Sequence, residues 1–245
     1  MEILDGVKMA DLGIYIEKEK TLVLSDFHMG YEEALSKQGV FIPRHQFADT
    51  IKRLENLLSK LPEIKTIVIT GDLKHEFGTI SQQEWRDVFG IIDLLKKHCE
   101  KLVILKGNHD TVLQSMLKQR NIEVCENFCI ENFAILHGDS IPSDVNVLKR
   151  KIFIIGHAHP AIKLTDSFTS EKVKCFLKGK WNFKTLIVVP SFNLVTEGTD
   201  VLAEKVLSPF LQKNISDFEI WAVAGSEKIW YFGKIRNLPN YSTGL

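Results

Sequence analysis

Residues 21–28 read Thr21-Leu22-Val23-Leu24-Ser25-Asp26-Phe27-His28, an apolar, β-branched run that ends in a carboxylate and an imidazole two positions apart. A short run of this kind predicts a buried strand, with its polar tail at the turn that follows. The arrangement recurs four more times. Thr66-Ile67-Val68-Ile69 leads to Gly71-Asp72, and Leu102-Val103-Ile104-Leu105 leads to Gly107-Asn108-His109-Asp110. Phe133-Ala134-Ile135-Leu136 leads to His137-Gly138-Asp139, and Ile152-Phe153-Ile154-Ile155 to Gly156-His157-Ala158-His159. Strands ending in ligand-type side chains can deliver them to one edge of a sheet, where α/β folds commonly build their sites. Taken singly, an Asp-x-His or His-x-His triplet is a weak signal, because Asp and His are ordinary residues at turns. Five of the eight histidines nevertheless fall inside the motifs, each just past an apolar strand.

The rest of the chain reads outward from these strands. Ile14-Tyr15-Ile16-Glu17 and Thr21–Leu24 flank Lys18-Glu19-Lys20 and predict a hairpin. Helical spacing predicts helices from Tyr31 to Lys37 and from Gln46 to Lys60, with Pro43 placed to start the second and Pro62 to stop it. Ser81 and Glu84 form a capping-box signature for a helix whose stripe is Trp85, Val88, Phe89, Ile92 and Leu95. A short helix is predicted from Val112 to Lys118. Compact apolar runs then cover 122–124, 128–130, 173–176, 186–189, 220–223 and 229–232. Helix–strand alternation early and strand-rich sequence late predict an α/β fold of two packed sheets with helices on their outer faces. No Gly/Ser/Pro-rich linker divides residues 1–245, so a single domain is expected.

Composition narrows the class. Lys+Arg and Asp+Glu are balanced at 31 each, and 44% of residues are hydrophobic, which excludes disordered and fibrous chains and argues against a uniform nucleic-acid coat. Cys99, Cys125, Cys129 and Cys175 lack paired zinc-type spacing and read as reduced structural thiols. The chain opens Met1-Glu2-Ile3-Leu4-Asp5 without a basic leader, and no run approaches ~18 apolar residues, so a cytoplasmic protein without membrane contact is expected. Lys163, Lys172, Lys174, Lys178, Lys180 and Lys184 crowd a stretch with Phe176, Trp181 and Phe183. They could contact phosphates while aromatics stack bases; their alternation with apolar residues is equally that of a half-exposed strand.

The ordered motifs Asp26-x-His28, Gly71-Asp72, Gly107-Asn108-His109-Asp110, His137 and Gly156-His157-x-His159 resemble the calcineurin-like metallophosphoesterase superfamily. The resemblance implies a sandwich of two mixed β-sheets flanked by α-helices, and a dinuclear site at strand ends. Carried over by position, it places Asp26, His28, Asp72 and His159 around one metal ion and Asp72, Asn108, His137 and His157 around the other, with Asp72 bridging. This donor mixture suits divalent transition metals, with Mn favoured and Fe, Zn or Ni also compatible. Two such ions can hold a hydroxide between them for attack on phosphorus and stabilise the entering and leaving oxygens of an in-line displacement. The resemblance assigns His109 to the substrate side and Asp110 to the orientation of its ring. His75, three residues beyond Asp72, reads either as a surface histidine or as a substrate contact.

A narrower resemblance joins Asp26–Tyr31, Gly39–Pro43, Gly71–His75 and Pro190–Gly198 to small prokaryotic phosphoesterases. These are the DNA-ligase-associated enzymes and archaeal proteins related to the SbcD nuclease subunit. It implies a phosphodiesterase or nuclease with DNA or a nucleotide as substrate, and a repair complex as partner. A phosphomonoesterase acting on nucleotides, and a non-catalytic phosphoesterase-fold scaffold that binds a protein partner, are the alternatives.

Overall fold

The computed structural model describes residues 1–76, 81–110, 117, 120, 122–165, 170–225 and 228–238. The helix expected over Val112 to Lys118 lies outside them apart from Leu117.

One sheet is laid down in chain order: β1 (Glu2–Leu4), β2 (Val7–Ala10), β3 (Gly13–Ile16), β4 (Thr21–Leu24), β5 (Thr66–Ile69), β6 (Lys101–Leu105) and β7 (Glu123–Cys125). Strands β1 to β4 are an antiparallel meander, whereas β4 to β7 run parallel. Parallel neighbours need long crossovers. Helices α1 (Tyr31–Lys37) and α2 (Gln46–Lys60) supply the first, and α3 (Gln82–Lys96) the second. Both predicted hairpin strands and all three helices fall where their sequence patterns place them.

The second sheet follows the order β14 (Thr199–Asp200), β11 (Pro160–Thr165), β12 (Ser170–Trp181), β13 (Lys184–Val188), β10 (Ile152–Ile155), β9 (Phe133–Leu136), β8 (Asn127–Ile130). β15 (Glu219–Ala224) pairs with β12, and β16 (Lys228–Lys234) with β15. Alternation sends successive residues to opposite faces. Ile135, Ile154, Phe176 and Ile187 join the core shared with the first sheet, while Ala134, Leu136, Phe153, Ile155, Leu177 and Leu186 form a second core with Phe210, Phe218 and α4 (Val145–Leu148). Burial on both faces explains why β9 and β10 read as near-continuous apolar runs. The chain is thus an α/β sandwich of two mixed sheets with flanking helices.

Local details depart from the sequence reading. Pro43 does not start α2: His45 is its N-cap residue, and the Glu32 carboxylate of α1 accepts the N–H groups of His45 and Gln46, each at 2.8 Å. A neighbouring helix does the capping. Ser81 does cap α3, its Oγ accepting the Glu84 N–H at 3.1 Å. No described helix is long and apolar enough to cross a membrane.

Candidate metal centre

Strands β4, β5 and β6 are parallel neighbours in one sheet, and β9 and β10 in the other, so their C-terminal ends deliver all five motifs to one place. The backbone turns sharply there. Asp26, His28, Asp72, His157 and His159 all have φ between +43° and +61°, a left-handed conformation rare for residues with a side chain. Such geometry persists only where the surroundings enforce it, and it gathers at functional sites. Two glycines make the close approach feasible. A Cβ on Gly107 would lie 2.1 Å from Asp72 Oδ1, and one on Gly156 would lie 2.0 Å from Ser25 Oγ and 2.6 Å from Asp26 Oδ2.

Two groups of ligand-type atoms that include a carboxylate result, beside a third made of the imidazoles of His28, His75 and His109 alone. In the first, His28 Nε2 lies 3.3 Å from His159 Nε2, and His159 Nε2 lies 3.6 Å from Asp26 Oδ1. In the second, His137 Nε2 lies 3.0 Å from Asn108 Oδ1 and 3.2 Å from His157 Nδ1. Asp72 Oδ2 stands between them, 3.7 Å from His28 Nε2 and 3.5 Å from His137 Nε2. Ligands held about 2.1 Å from a common ion at tetrahedral or right angles lie about 3.0–3.4 Å apart, so the spacing suits a shared cation in each group.

Hydrogen bonding and electrostatics fit the same reading. His137 Nδ1 donates to the Thr70 carbonyl at 2.8 Å, which turns the Nε2 lone pair inward. Asp26 Oδ1 is buried without a hydrogen-bond partner, the mark of an atom whose partner is a cation. Its sister oxygen accepts from the Ser25 hydroxyl and, at 2.9 Å, the His157 N–H. Burial raises the Asp26 carboxyl, and the imidazoles of His159, His137 and His28 outweigh it, holding the group below the usual carboxylate range. Burial and the nearby Asp26 and Asp110 push Asp72 up to about 9. Burial, aided by neighbouring imidazoles, depresses His28 well below its ordinary value and His157 to about 4. Neutral imidazoles beside buried carboxylates that resist sharing negative charge are a donor set for divalent cations.

Of the remaining predicted residues, His109 and His75 are half-buried and Asp110 is buried. His109 Nδ1 lies 2.5 Å from the His75 carbonyl oxygen, and its N–H accordingly donates there. The expectation that Asp110 orients the His109 ring is corrected: Asp110 Oδ2 accepts the backbone N–H groups of Asp72 at 2.7 Å and Gly107 at 3.1 Å. It therefore clamps two motif turns together. The His75 ring joins the cluster, its Nδ1 3.4 Å from His28 Nδ1 and its plane stacked on His109 with centroids 5.4 Å apart. Burial, then His109, lowers its pKa to about 4.

Several supporting residues carry no motif. Lys74 is fully buried and donates to the carbonyls of Glu76 and His109. Glu84, on α3, accepts the N–H groups of His75 and Glu76, each at 3.2 Å. Gln46, on α2, donates to the His28 carbonyl at 2.9 Å. The segment 190–199 also seals the first motif: Asn193 N–H donates to Asp26 O at 3.0 Å, Thr199 N–H to His159 O at 2.8 Å, and the Phe192 ring stacks on Phe27. Its resemblance to other phosphoesterases was visible in the sequence; its packing role was not.

Most of the lysine-rich stretch is engaged within the protein. Phe176 and Trp181 are buried. Lys172 pairs with Glu204 and Lys178 with Glu219, Lys180 donates to the Thr185 hydroxyl, and Lys184 donates to the Arg150 carbonyl. The half-exposed strand is the correct reading.

Comparison with solved structures finds proteins of similar fold. MPE, a nuclease from Pseudomonas putida, is similar with a TM-score of 0.62 at 19% identity, over 91% of this chain and 92% of that one. Vacuolar protein sorting 29 from Cryptosporidium parvum gives a TM-score of 0.40 at 17% identity, over 87% and 97% of the two chains. Vps29 complexed with zinc from Entamoeba histolytica gives 0.38 at 19%, over 86% and 97%. No curated protein matches the sequence. The description "Calcineurin-like phosphoesterase" matches residues 19–222, a span that takes in both groups of ligand-type residues, and the chain belongs to that family.

Proposed function

We propose that the protein is a phosphoester hydrolase whose centre holds two divalent transition-metal ions, manganese by preference, and that phosphodiesters are its substrates. One observation carries this reading. Asp72 Oδ2 lies within 3.7 Å of one imidazole from each ligand group, which supports a role for it in both. Asp26, His28, Asp72 and His159 would hold one ion, and Asp72, Asn108, His137 and His157 the other. The chemistry such ions would supply when bound is Lewis-acid activation of water and neutralisation of phosphoryl oxygens.

The chain's own residues do the rest. The His75 carbonyl fixes the His109 tautomer with its proton on Nδ1, which makes Nε2 the nitrogen that exchanges a proton with the leaving oxygen. Burial lowers the His109 pKa, so its protonated ring is the stronger acid, and an arriving phosphoryl anion favours that protonated form. His75, stacked on His109, would contact the substrate. Asp110 keeps the Asp72 and Gly107 turns in register. The preference for diesters rests on the narrower sequence resemblance and is in keeping with the nuclease that shares the fold; a role in DNA repair follows from the same resemblance.

The test is hydrolysis of bis(p-nitrophenyl) phosphate and p-nitrophenyl phosphate by manganese-reconstituted protein, with metal content measured in parallel. Diester turnover should exceed monoester turnover and disappear in His157→Ala. His109→Ala should keep both metals and lose turnover. Full metal occupancy without cleavage of any phosphoester would refute the enzymatic assignment.

A further inference from the structure

Against segment 190–199 lies a groove of about 410 Å³ between β12, β16 and α2, lined by none of the metal-ligand residues. Its lining includes Arg53, Lys174, Leu194, Trp230 and Phe232. Lys174 is partly buried, and its Nζ donates to the Ser191 hydroxyl at 3.3 Å. Among the described residues no carboxylate lies within ion-pair distance of this amine, although the neighbouring lysines of β12 at 172 and 178 have acidic partners. Arg53 is held rigid by a two-pronged contact with Asp11, at 2.8 and 2.5 Å, and by the Gly225 carbonyl at 2.8 Å. Burial lowers the Lys174 pKa to about 7 and the Arg53 guanidinium pushes it the same way, against the weaker opposing pull of Glu197 and Asp26. The groove thus keeps an amine that has no carboxylate partner among the described residues beside a guanidinium whose carboxylate partner is Asp11, and an added anion would stabilise the charged form of that amine.

Acidic groups do line the groove: Asp49, Glu171 and Glu197. All three are exposed and so screened by water and salt, whereas the lysine lies deeper, where charge acts more strongly. On β16, Trp230 and Phe232 add aromatic surface, and the Trp230 residue is 56% exposed. An exposed indole beside a cationic floor suits a ligand with a planar ring at one end and an anion at the other. The volume lies within the range of small-ligand pockets.

We propose that this groove is a second ligand site, separate from the metal centre, that takes a mononucleotide-type ligand: a phosphate monoester directed to Lys174 and Arg53, with its planar ring against Trp230. The site does not depend on the reaction at the metal centre. The segment that walls it nevertheless carries Asn193 and Thr199, whose N–H groups bind the carbonyls of Asp26 and His159.

Calorimetric titration of the full chain with adenosine 5′-monophosphate tests it. Wild type and His157→Ala should bind alike, because the second variant disables only the metal centre. Lys174→Met and Trp230→Ala should each weaken binding by about tenfold or more, Lys174→Arg should restore most of it, and adenosine or inorganic phosphate should bind far more weakly. Trp230 is exposed, so its removal leaves the fold intact and the test stands even if Lys174→Met is unstable. Absence of binding, binding lost in His157→Ala but kept in Lys174→Met and Trp230→Ala, or equal affinity for inorganic phosphate alone would each overturn the proposal.

Discussion

The strand-end motifs and strand β12 are comparably rich in side chains that do chemistry, yet one set converges and the other disperses. Asp26, His28, Asp72, Asn108, His137, His157 and His159 come from five strand ends in two sheets, and each has a ligand-type atom within 3.7 Å of another's. The lysines of β12 come from one strand and find separate partners in Glu204, Ser191, Glu219 and Thr185. Density along a sequence therefore says little about density in space. Parallel neighbours end at the same edge and concentrate whatever follows them, whereas side chains two and four residues apart on a single strand share a face but are spread along its length.

The sharpest way to break the convergence is to remove the residue common to both groups. Asp72→Ala should abolish hydrolysis and lower the content of both metals, as read by elemental analysis beside the diester assay. Retention of one full equivalent of metal would show that Asp72 serves one group alone.

A smaller effect should follow from crowding the turn without touching a ligand. Gly107→Ala puts a methyl 2.1 Å from Asp72 Oδ1 and 2.4 Å from Asp72 N, and the second of these is backbone that cannot swing aside. Overpacking of this kind typically costs about 1–3 kcal/mol. We expect a lower melting temperature and a loss in metal affinity of about 10–100-fold, comparable with other damage to the support of a metal site.

Asp110→Asn is gentler still. One amide oxygen can still accept the Asp72 and Gly107 N–H groups that Asp110 Oδ2 now accepts, while the new NH₂ takes the place of Oδ1, which is buried without a partner. Burial raises the Asp110 pKa, so removing its charge relieves part of a desolvation cost. A fall in metal affinity near the lower end, about tenfold, is expected by titration of the metal-free protein. A change in the pH profile of turnover with unchanged metal affinity would instead restore Asp110 to the His109 ring.

These three residues also show how much could be read in advance. The motif positions were legible because each follows its own strand, so a local pattern carried the spatial result. Asp110 was assigned to the wrong partner because adjacency in sequence was taken for contact, whereas in the Asn108-His109-Asp110 turn the two side chains leave in different directions, His109 to the His75 carbonyl and Asp110 to the Asp72 and Gly107 amides. Lys74, Glu84 and Gln46 were missed because their partners are backbone carbonyls and amides, which every residue possesses and no motif records. β1, β2 and β11 are short or carry lysine among apolar residues, and β12 runs well beyond its apolar centre, so hydrophobic pattern under-reads them.

The smallest expected effect tests the dispersed side of the comparison. Lys180 and Lys184 flank the β12–β13 turn, on which Phe183 is fully exposed. If this corner gripped a nucleic-acid backbone, each lysine removed would reduce the slope of log affinity against log salt by about one. Each of the two already spends its amine on a neutral oxygen, the Thr185 hydroxyl or the Arg150 carbonyl, on a corner distant in sequence from every motif. The double variant Lys180→Ala/Lys184→Ala should therefore leave the salt dependence of single-stranded DNA binding unchanged and shift stability by no more than about 0.5 kcal/mol. A reduced salt slope would show that two lysines can act together without sharing a partner, and that dispersal over a strand is no bar to a binding surface.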